Sequence, residues 1–216
     1  MTGRRGLFIS FEGTEGSGKS TQMRLLAERL RGEGRGVVEN QEPGGTSIGK
    51  QIRRVLLDPA NAEMAPMAEL LLMFASRAQA AAEIIVPALT RGDIVLSDRF
   101  TDSTLAYQGE ARSLGFDTVL NAQRLALGSL LPDVTICVDI DVAEGLARAR
   151  RRNERNTDGP NEDRLDRQSL EFHTRVREGY RKIARLEPAR FRIVDGDGST
   201  AIVEERVWTE ILPYLK

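Results

Sequence analysis

The sequence predicts an α/β fold, a mostly parallel, doubly wound sheet of five strands with helices on both faces, and three observations carry that reading. Short apolar runs alternate along the chain with segments whose apolar residues recur at helical spacing, the order that right-handed crossovers between parallel strands require. The first apolar run, Leu7-Phe8-Ile9-Ser10-Phe11, passes directly into a glycine-rich turn and then into an amphipathic helix. With 216 residues and 40% hydrophobic content, the chain can bury one sizeable core, and a single domain over 1–216 is expected.

The turn after the first strand reads Gly13, Thr14, Glu15, Gly16, Ser17, Gly18, Lys19, Ser20, with Thr21 following, and it fits G-x-x-x-x-G-K-[ST] at every fixed position. This is a Walker A phosphate cradle, so the fold is expected to be a three-layer sandwich of the P-loop NTPase type. Glycines let successive backbone N–H groups converge on phosphate oxygens, and the following helix N-terminus adds partial positive charge. Lys19 reaches the β- and γ-phosphates, and the Ser20 hydroxyl ligates Mg²⁺.

The remaining elements follow in order. Thr21–Arg31 has a helical face of Met23, Leu26 and Leu30 and stops at Gly32 and Gly34. Gly36–Gln41 reads as a strand. Glu42-Pro43-Gly44-Gly45-Thr46 is a loop, after which Thr46 or Ser47 caps a short helix bearing Ile48, Ile52, Arg53, Val55 and Leu56. Pro66 opens a long helix through about Leu89, apolar nearly all round from Met67 to Ala75 and therefore central. Polar groups are costly there, which singles out Glu69, Ser76, Arg77 and Gln79.

Ile94–Ser97 is a buried strand with Asp98-Arg99-Phe100 at its carboxyl end, where open parallel sheets bind ligands. If Arg99–Gln108 is helical, Arg99, Ser103 and Tyr107 drift only about 80° around the axis and line one wall. Asp117–Leu130 is a helix, Val134–Ile140 a strand and Val142–Arg152 a helix that ends strongly basic. Asn153–Asp163 is polar, contains Gly159-Pro160 and has no apolar anchor, as a flexible lid over about 150–164 would. From Glu162 a helix carries Leu165, Phe172, Val176, Tyr180, Ile183 and Leu186; Phe191–Val194 is the last strand, Asp195–Ser199 a turn, and Thr200–Leu215 the closing helix.

Composition narrows the function classes. A net charge of −1 gives no global footprint for nucleic acid or an anionic membrane, although arginines crowd together after residue 147. Apolar runs such as Leu70–Ala75 and Ile84–Leu89 are too short to span a bilayer, and Met1–Gly6 lacks the apolar stretch of a signal peptide. A soluble cytoplasmic protein is expected, with no nucleic-acid or membrane partner. The lone Cys137 lies in an apolar strand and reads as a structural thiol, and the lone His173 argues against triad or multi-histidine metal chemistry.

A Walker A motif does not say where the γ-phosphoryl group goes, since switches, motors and small-molecule kinases share it. Three features favour a kinase acting on another phosphorylated molecule. Arg53, Arg77 and Arg99 supply more guanidinium forks than one triphosphate needs. Met73, Phe74 and Arg77 set an apolar face one turn from a donor, which suits a nucleobase. Arg148, Arg150, Arg151 and Arg152, with Arg155 and Arg164 of the lid, can close cations over transferring phosphates. Each has a plainer reading: Arg53 a solvated helix residue, Phe74 core, Asp98 a helix cap, and the Arg148–Arg155 cluster a solvated face. A nucleotide-dependent switch is the second class, against which the chain lacks an [NT]-K-x-D guanine-reading tetrapeptide.

FEGTEGSGKST at Phe11–Thr21, EPGGT at Glu42–Thr46, LLMFASRAQ at Leu71–Gln79 and DRFTDSTLAYQG at Asp98–Gly109 together resemble the bacterial thymidylate kinases, in order and over nearly the whole chain. The resemblance implies a homodimeric dTMP kinase that uses ATP and Mg²⁺. It implies that Gly13–Thr21 and Arg148 hold ATP, that Ser20 and Asp98 serve Mg²⁺, and that Glu15 contacts the deoxyribose 3′-hydroxyl and an active-site arginine. Arg53 and Arg99 grip the dTMP phosphate, Phe74 stacks on thymine, Arg77 bonds its carbonyl edge, Ser103, Thr104 and Gln108 complete the pocket, and Tyr107 favours deoxyribose. The chain departs from the family in placing Met73 four residues before Arg77, with Phe74 three before. Its cradle carries no second cation, so the lid is expected to supply one, Arg152 or Arg164 by motif position, with Arg151 and Arg155 as alternatives.

Overall fold

The computed structural model describes residues 5–155 and 164–215, without the side chains of Arg152, Asn153 and Arg155. Five strands, β1 (Phe8–Glu12), β2 (Val37–Gln41), β3 (Ile94–Asp98), β4 (Val134–Asp139) and β5 (Phe191–Asp195), form one sheet in the order β2-β3-β1-β4-β5. Every pairing is parallel, with Ser10 opposite Ser97 on one side and Thr135 on the other. The chain runs from β1 out to the edge at β2, returns to β3, and then crosses β1 to reach β4. The carboxyl ends of β1, β3 and β4 therefore meet at the point where the winding changes direction, the position at which doubly wound sheets bind ligands.

Strand alternation assigns the layers. Ile9 and Phe11 face α1 (Lys19–Gly32) and, with Ile136 and Val194, pack on Met23, Leu26, Leu30 and, from the C-terminal helix α9 (Thr200–Ile211), on Val203, Val207 and Ile211. Phe8 points the other way, onto Phe100, Ile85, Ala88 and Leu89. Ser10 and Glu12 share that second face, so a carboxylate at the end of the central strand is turned into the protein and is wholly buried.

The second face is covered by a helical layer introduced by α2 (Ser47–Leu57), which Thr46 caps through the Gly49 N–H. α3 (Pro66–Ala80) continues through a π-helical turn, Ala81–Ile85, into α4 (Val86–Arg91) and ends at Gly92 in the left-handed region. Pro87 lacks the N–H that would close the next α-turn, and the helix widens just before it. The continuous run Pro66–Arg91 is longer than its separate apolar stretches suggest. It is 26 residues long and contains an 18-residue stretch with a mean hydropathy of 1.4, by length and composition enough to cross a bilayer. In this fold it packs against α2 and α6 (Phe116–Leu127), and its polar residues Glu69, Ser76 and Arg77 are buried among protein partners. The remaining pieces of this layer are α5 (Thr101–Thr104), which runs on as a π-helical segment Leu105–Ala111, then α7 (Val142–Arg155) and α8 (Leu170–Leu186).

Two helices begin later than expected. The helix predicted over Arg99–Gln108 begins only at Thr101, because Arg99 has φ 71 and sits in the connecting turn, outside the helix. The helix predicted from Glu162 begins at Leu170 behind a Ser169 cap, so Leu165 precedes it. The lid expected over 150–164 falls, for residues 156–163, outside the described residues.

Candidate active site

The cradle is shaped by backbone-on-backbone packing. Gly13, Gly16 and Gly18 all have positive φ. A Cβ on Gly16 would lie 2.0 Å from the Gly145 carbonyl oxygen, and a Cβ on Gly145 would lie 2.4 Å from that of Glu15, so the loop is seated directly on the first turn of α7. The Thr14 and Ser17 hydroxyls are buried without a partner among the described residues. α1 opens at Lys19, two residues earlier than its apolar spacing indicated, so Lys19 and Ser20 both lie in its first turn. The Ser20 hydroxyl donates a short hydrogen bond to Asp98 Oδ2 at the end of β3. Two hard oxygens are thereby gathered beside the cradle, the kind of partial donor set that Mg²⁺ completes with waters and phosphate oxygens. A site built from Asp, Glu, His and Cys alone is not what this is; among the described residues no group of three or more of these could hold a metal ion.

Arg99 joins the cradle to the second face of the sheet. Its turn geometry is fixed by its own N–H donating to Phe11 O at 2.9 Å and by the Ser97 hydroxyl donating to Arg99 O at 2.7 Å. The guanidinium Nη1 donates to Gly13 O at 3.1 Å and to the Ser103 and Tyr180 hydroxyls at 3.0 Å each. Nη2 donates to Glu15 Oε1 at 2.8 Å and to the Tyr107 hydroxyl at 3.1 Å. Tyr107 in turn donates to the same Glu15 oxygen at 2.8 Å. Burial works to raise the Glu15 carboxyl, but Arg99, Lys19 and the Tyr107 bond outweigh it and hold it at about 2. Arg99, for which burial works in the opposite direction, is held charged by Tyr107 and Glu15. Behind it, Glu12 accepts from Phe100 N at 2.7 Å, from Tyr180 at 3.0 Å and from Ser103. Burial and the nearby Asp102 push the Glu12 carboxyl up.

The wall beside Arg99 comes from the 42–46 loop, α2, α3 and the α5 segment. Arg53 Nη1 donates to Pro43 O at 2.9 Å, and Glu42, following β2, accepts from Asn40 and Ser76 at 3.2 Å each. Arg77, 1% exposed, donates to Thr104 and has Phe74 with its ring centroid 5.7 Å away, while its Nε has no partner among the described residues. Phe74 and Met73 both belong to the buried cluster under this wall. Gln108 Nε2 donates to Glu69 Oε1 at 2.8 Å, and Arg164 Nη2 donates to Glu69 Oε2 at 2.6 Å.

The arrangement thus consists of a triphosphate cradle, a charged arginine bolted to that cradle, and a buried polar wall. A family model for thymidylate kinase matches residues 11–207. The chain belongs to the thymidylate kinase family. The thymidylate kinase of Pelobacter propionicus is 50% identical over 207 residues, covering 96% of this chain and 94% of that protein. That of Geobacter sulfurreducens is 52% identical over 193 residues, covering 89% and 90%. The crystal structure of thymidylate kinase from Ehrlichia chaffeensis matches with a TM-score of 0.76 at 30% identity, covering 96% of this chain and 99% of that one.

Of the residues expected to act together in a member of this family, the structure brings Glu15, Arg99, Ser103 and Tyr107 into direct contact, and Ser20 onto Asp98. Ser103 and Tyr107 reach Arg99 because the turn at Arg99 folds its guanidinium back over their helix, not because the three share a helical face. Thr104 and Gln108 lie on the same segment, facing Arg77 and Glu69. Arg148 is half-buried and paired with Glu144, with its Cβ beside Gly16. Arg164 is 2% exposed, its guanidinium on Glu69 and Leu56 O and its N–H on Leu57 O. The Arg152 and Arg155 side chains lie outside the described residues. The sequence reading passed over Glu12, Tyr180 and Arg112. Glu12 carries a signal, an acid directly between the apolar run Leu7–Phe11 and the cradle glycine Gly13; Tyr180 is indistinguishable from its apolar neighbours, and nothing marks Arg112.

Proposed function

We propose that the chain transfers the γ-phosphoryl group of ATP to dTMP, giving dTDP and ADP, as a single nucleoside monophosphate kinase domain. The observation that supports this reading best is the Arg99–Glu15–Tyr107 junction, which fixes a phosphate-binding arginine of the acceptor side to the loop that would hold the donor. A switch protein has no use for a second phosphate site welded to its cradle.

In this reading Lys19 and the N–H groups of the Gly13–Thr21 loop hold the ATP phosphates, with Arg148 beside them. Mg²⁺, which fits the Ser20 and Asp98 oxygens directly or through water, supplies neutralisation of charge on the donor phosphates when bound. Arg99 and Arg53 hold the acceptor phosphate in line with the γ-phosphorus, so that an acceptor oxygen attacks as the β–γ bridge breaks. Phosphoryl transfer asks mainly for positioning and charge, and Arg99 is already pinned by five acceptors. Phe74 stacks on thymine, Arg77 donates to a ring carbonyl, Ser103, Thr104 and Gln108 line the pocket, Glu15 takes the 3′-hydroxyl, and Tyr107 occupies the place of a 2′-hydroxyl. Arg152 or Arg164 completes the clamp, and for Arg164 that role requires leaving Glu69.

Homodimerisation and a cytoplasmic setting belong to the same reading. Ile48 on α2, Leu71 on α3 and Leu125 on α6 are 50%, 57% and 91% exposed on three helices that pack together, and a second copy would cover them. The test is an assay coupled to ADP release with a panel of nucleoside monophosphates. Turnover of dTMP at least tenfold above dCMP and AMP is expected, and equal turnover of all three would sink the assignment.

A further inference from the structure

We propose that Glu69 is a positioning residue that sets the acceptor pocket's preference between pyrimidine rings, by fixing which end of the Gln108 amide is left for the base; this rests on the acceptor reading above. α3 and the segment starting at α5 face each other through Glu69 and Arg77, eight apart on α3, and through Thr104, Gln108 and Arg112, four apart on the segment. Arg77 pairs with Thr104 at one rung, and Glu69 pairs with Gln108 and Arg112 at the next. Glu69 is wholly buried and its two oxygens are fully engaged. Oε1 accepts from Gln108 Nε2 at 2.8 Å and Arg112 Nε at 3.3 Å, while Oε2 accepts from Arg112 Nη2 at 3.3 Å and Arg164 Nη2 at 2.6 Å. Burial works to raise its carboxyl, but these bonds and charges bring it below the usual carboxylate value.

An ionised carboxylate only accepts hydrogen bonds, so Gln108 must turn its NH₂ to Glu69 and leave its carbonyl oxygen on the other side. That oxygen accepts from no described residue. Two turns along α3 from Glu69, the fully buried Arg77 Nε is a donor with no partner among the described residues. The seam therefore offers one acceptor and one donor in fixed order. A 2,4-dioxopyrimidine answers with its ring N3–H and an adjacent carbonyl. A 4-aminopyrimidine presents a bare N3 to the Gln108 oxygen and an amino group to the arginine, which sets acceptor against acceptor and donor against donor in a desolvated site. Were Glu69 neutral or absent, the Gln108 amide could flip and the distinction would fade.

The experiment measures kcat/KM for dUMP and dCMP, which differ only at N3 and the 4-substituent, in the wild-type enzyme and in Glu69→Gln, whose amide can face Gln108 with either end. The dUMP:dCMP ratio is expected to fall at least about tenfold in Glu69→Gln while the KM for ATP holds. Gln108→Met leaves the Glu69 ion pairs intact and carries the test if Glu69→Gln does not fold; the same fall is expected. Arg112→Gln removes a partner of Glu69 without touching Gln108 and is expected to keep the wild-type ratio. A folded Glu69→Gln enzyme or a Gln108→Met enzyme that retains the ratio overturns the inference, as does an equal fall in Arg112→Gln, which would mark a general loosening. A wild-type enzyme that turns over dTMP no faster than dCMP overturns the acceptor reading itself.

Discussion

Arg99 Nη2 and the Tyr107 hydroxyl both donate to one oxygen of Glu15, each at 2.8 Å, so the carboxylate of the phosphate cradle is bonded to two residues of a different strand–helix unit. The link makes the cradle and the wall beside Arg99 a single electrostatic object. It also makes the charge of Glu15 a condition of the geometry.

Stability should therefore depend on pH through Glu15. Its carboxyl sits at about 2 in the folded chain against an ordinary value of 4.5. A depressed folded value stabilises the protein above the unfolded value, and the contribution is lost as pH falls from about 4.5 towards 2, at roughly 1.4 kcal/mol per pH unit. Glu12 and Glu42, which burial pushes up, act in the opposite direction, so the wild type alone would blur the effect. Denaturant unfolding of wild type and Glu15→Gln between pH 6 and pH 3.5 isolates it. The difference in unfolding free energy should be constant above pH 5 and shrink below it; a difference independent of pH would contradict the assignment.

Tyr180 holds Arg99 from behind, accepting from Nη1 at 3.0 Å and donating to Glu12 at 3.0 Å. Tyr180→Phe keeps the ring contacts with Phe191 and Tyr107 and removes only the hydroxyl. Because a buried bond to a charged group is worth about 1.5–3 kcal/mol, kcat/KM for dTMP should fall roughly tenfold or more. The KM for ATP should be unaffected, since Lys19 and the loop N–H groups are untouched. Steady-state kinetics with each substrate varied separates the two effects.

Gly145 is the place where α7 carries the cradle. A Cβ there would lie 2.4 Å from Glu15 O, a backbone atom that cannot rotate away. Gly145→Ala should push the loop off α7 and lower stability by about 1–3 kcal/mol. The KM for ATP should rise more than that for dTMP. Calorimetry together with both KM values checks this, and an alanine enzyme with wild-type ATP affinity would show that the cradle does not rely on this seat.

What was legible in the sequence was what local chemistry specifies. The cradle and the alternation of strands and helices follow from a motif and from spacing, which are properties of adjacent residues, whereas the pairing of Ser20 with Asp98 was expected only from the family resemblance. Helical spacing puts Arg99, Ser103 and Tyr107 on one wall, but their contact comes from the turn at Arg99, and a positive φ at a non-glycine residue leaves no mark in composition. Tyr180 was illegible for a different cause. Its hydroxyl reaches Glu12 across 168 positions in the chain, and helical periodicity sees only the apolar ring. Leu165 was drawn into α8 because its spacing from Phe172 is helical, whereas Ser169 caps the helix four residues later.

Arg164 shows how burial divides two readings of one residue. Its guanidinium is 2% exposed and bonded to Glu69, which keeps Arg112 and Gln108 as well. Removing one partner of a buried pair costs about 3–5 kcal/mol when the other charge is left alone, and less here because Glu69 retains donors. Arg164→Ala should therefore lower stability by about 2 kcal/mol. If the same arginine also closes on the transferring phosphoryl group, kcat falls by a further hundredfold with dTMP affinity unchanged, since a transition-state contact acts on the chemical step. If Arg152 is the one that closes, Arg152→Ala should show that kcat loss instead. Unfolding and single-turnover measurements on both variants decide the matter: the clamp belongs to whichever arginine lowers the chemical rate at constant dTMP affinity, and an unchanged rate in both moves it to Arg151 or Arg155.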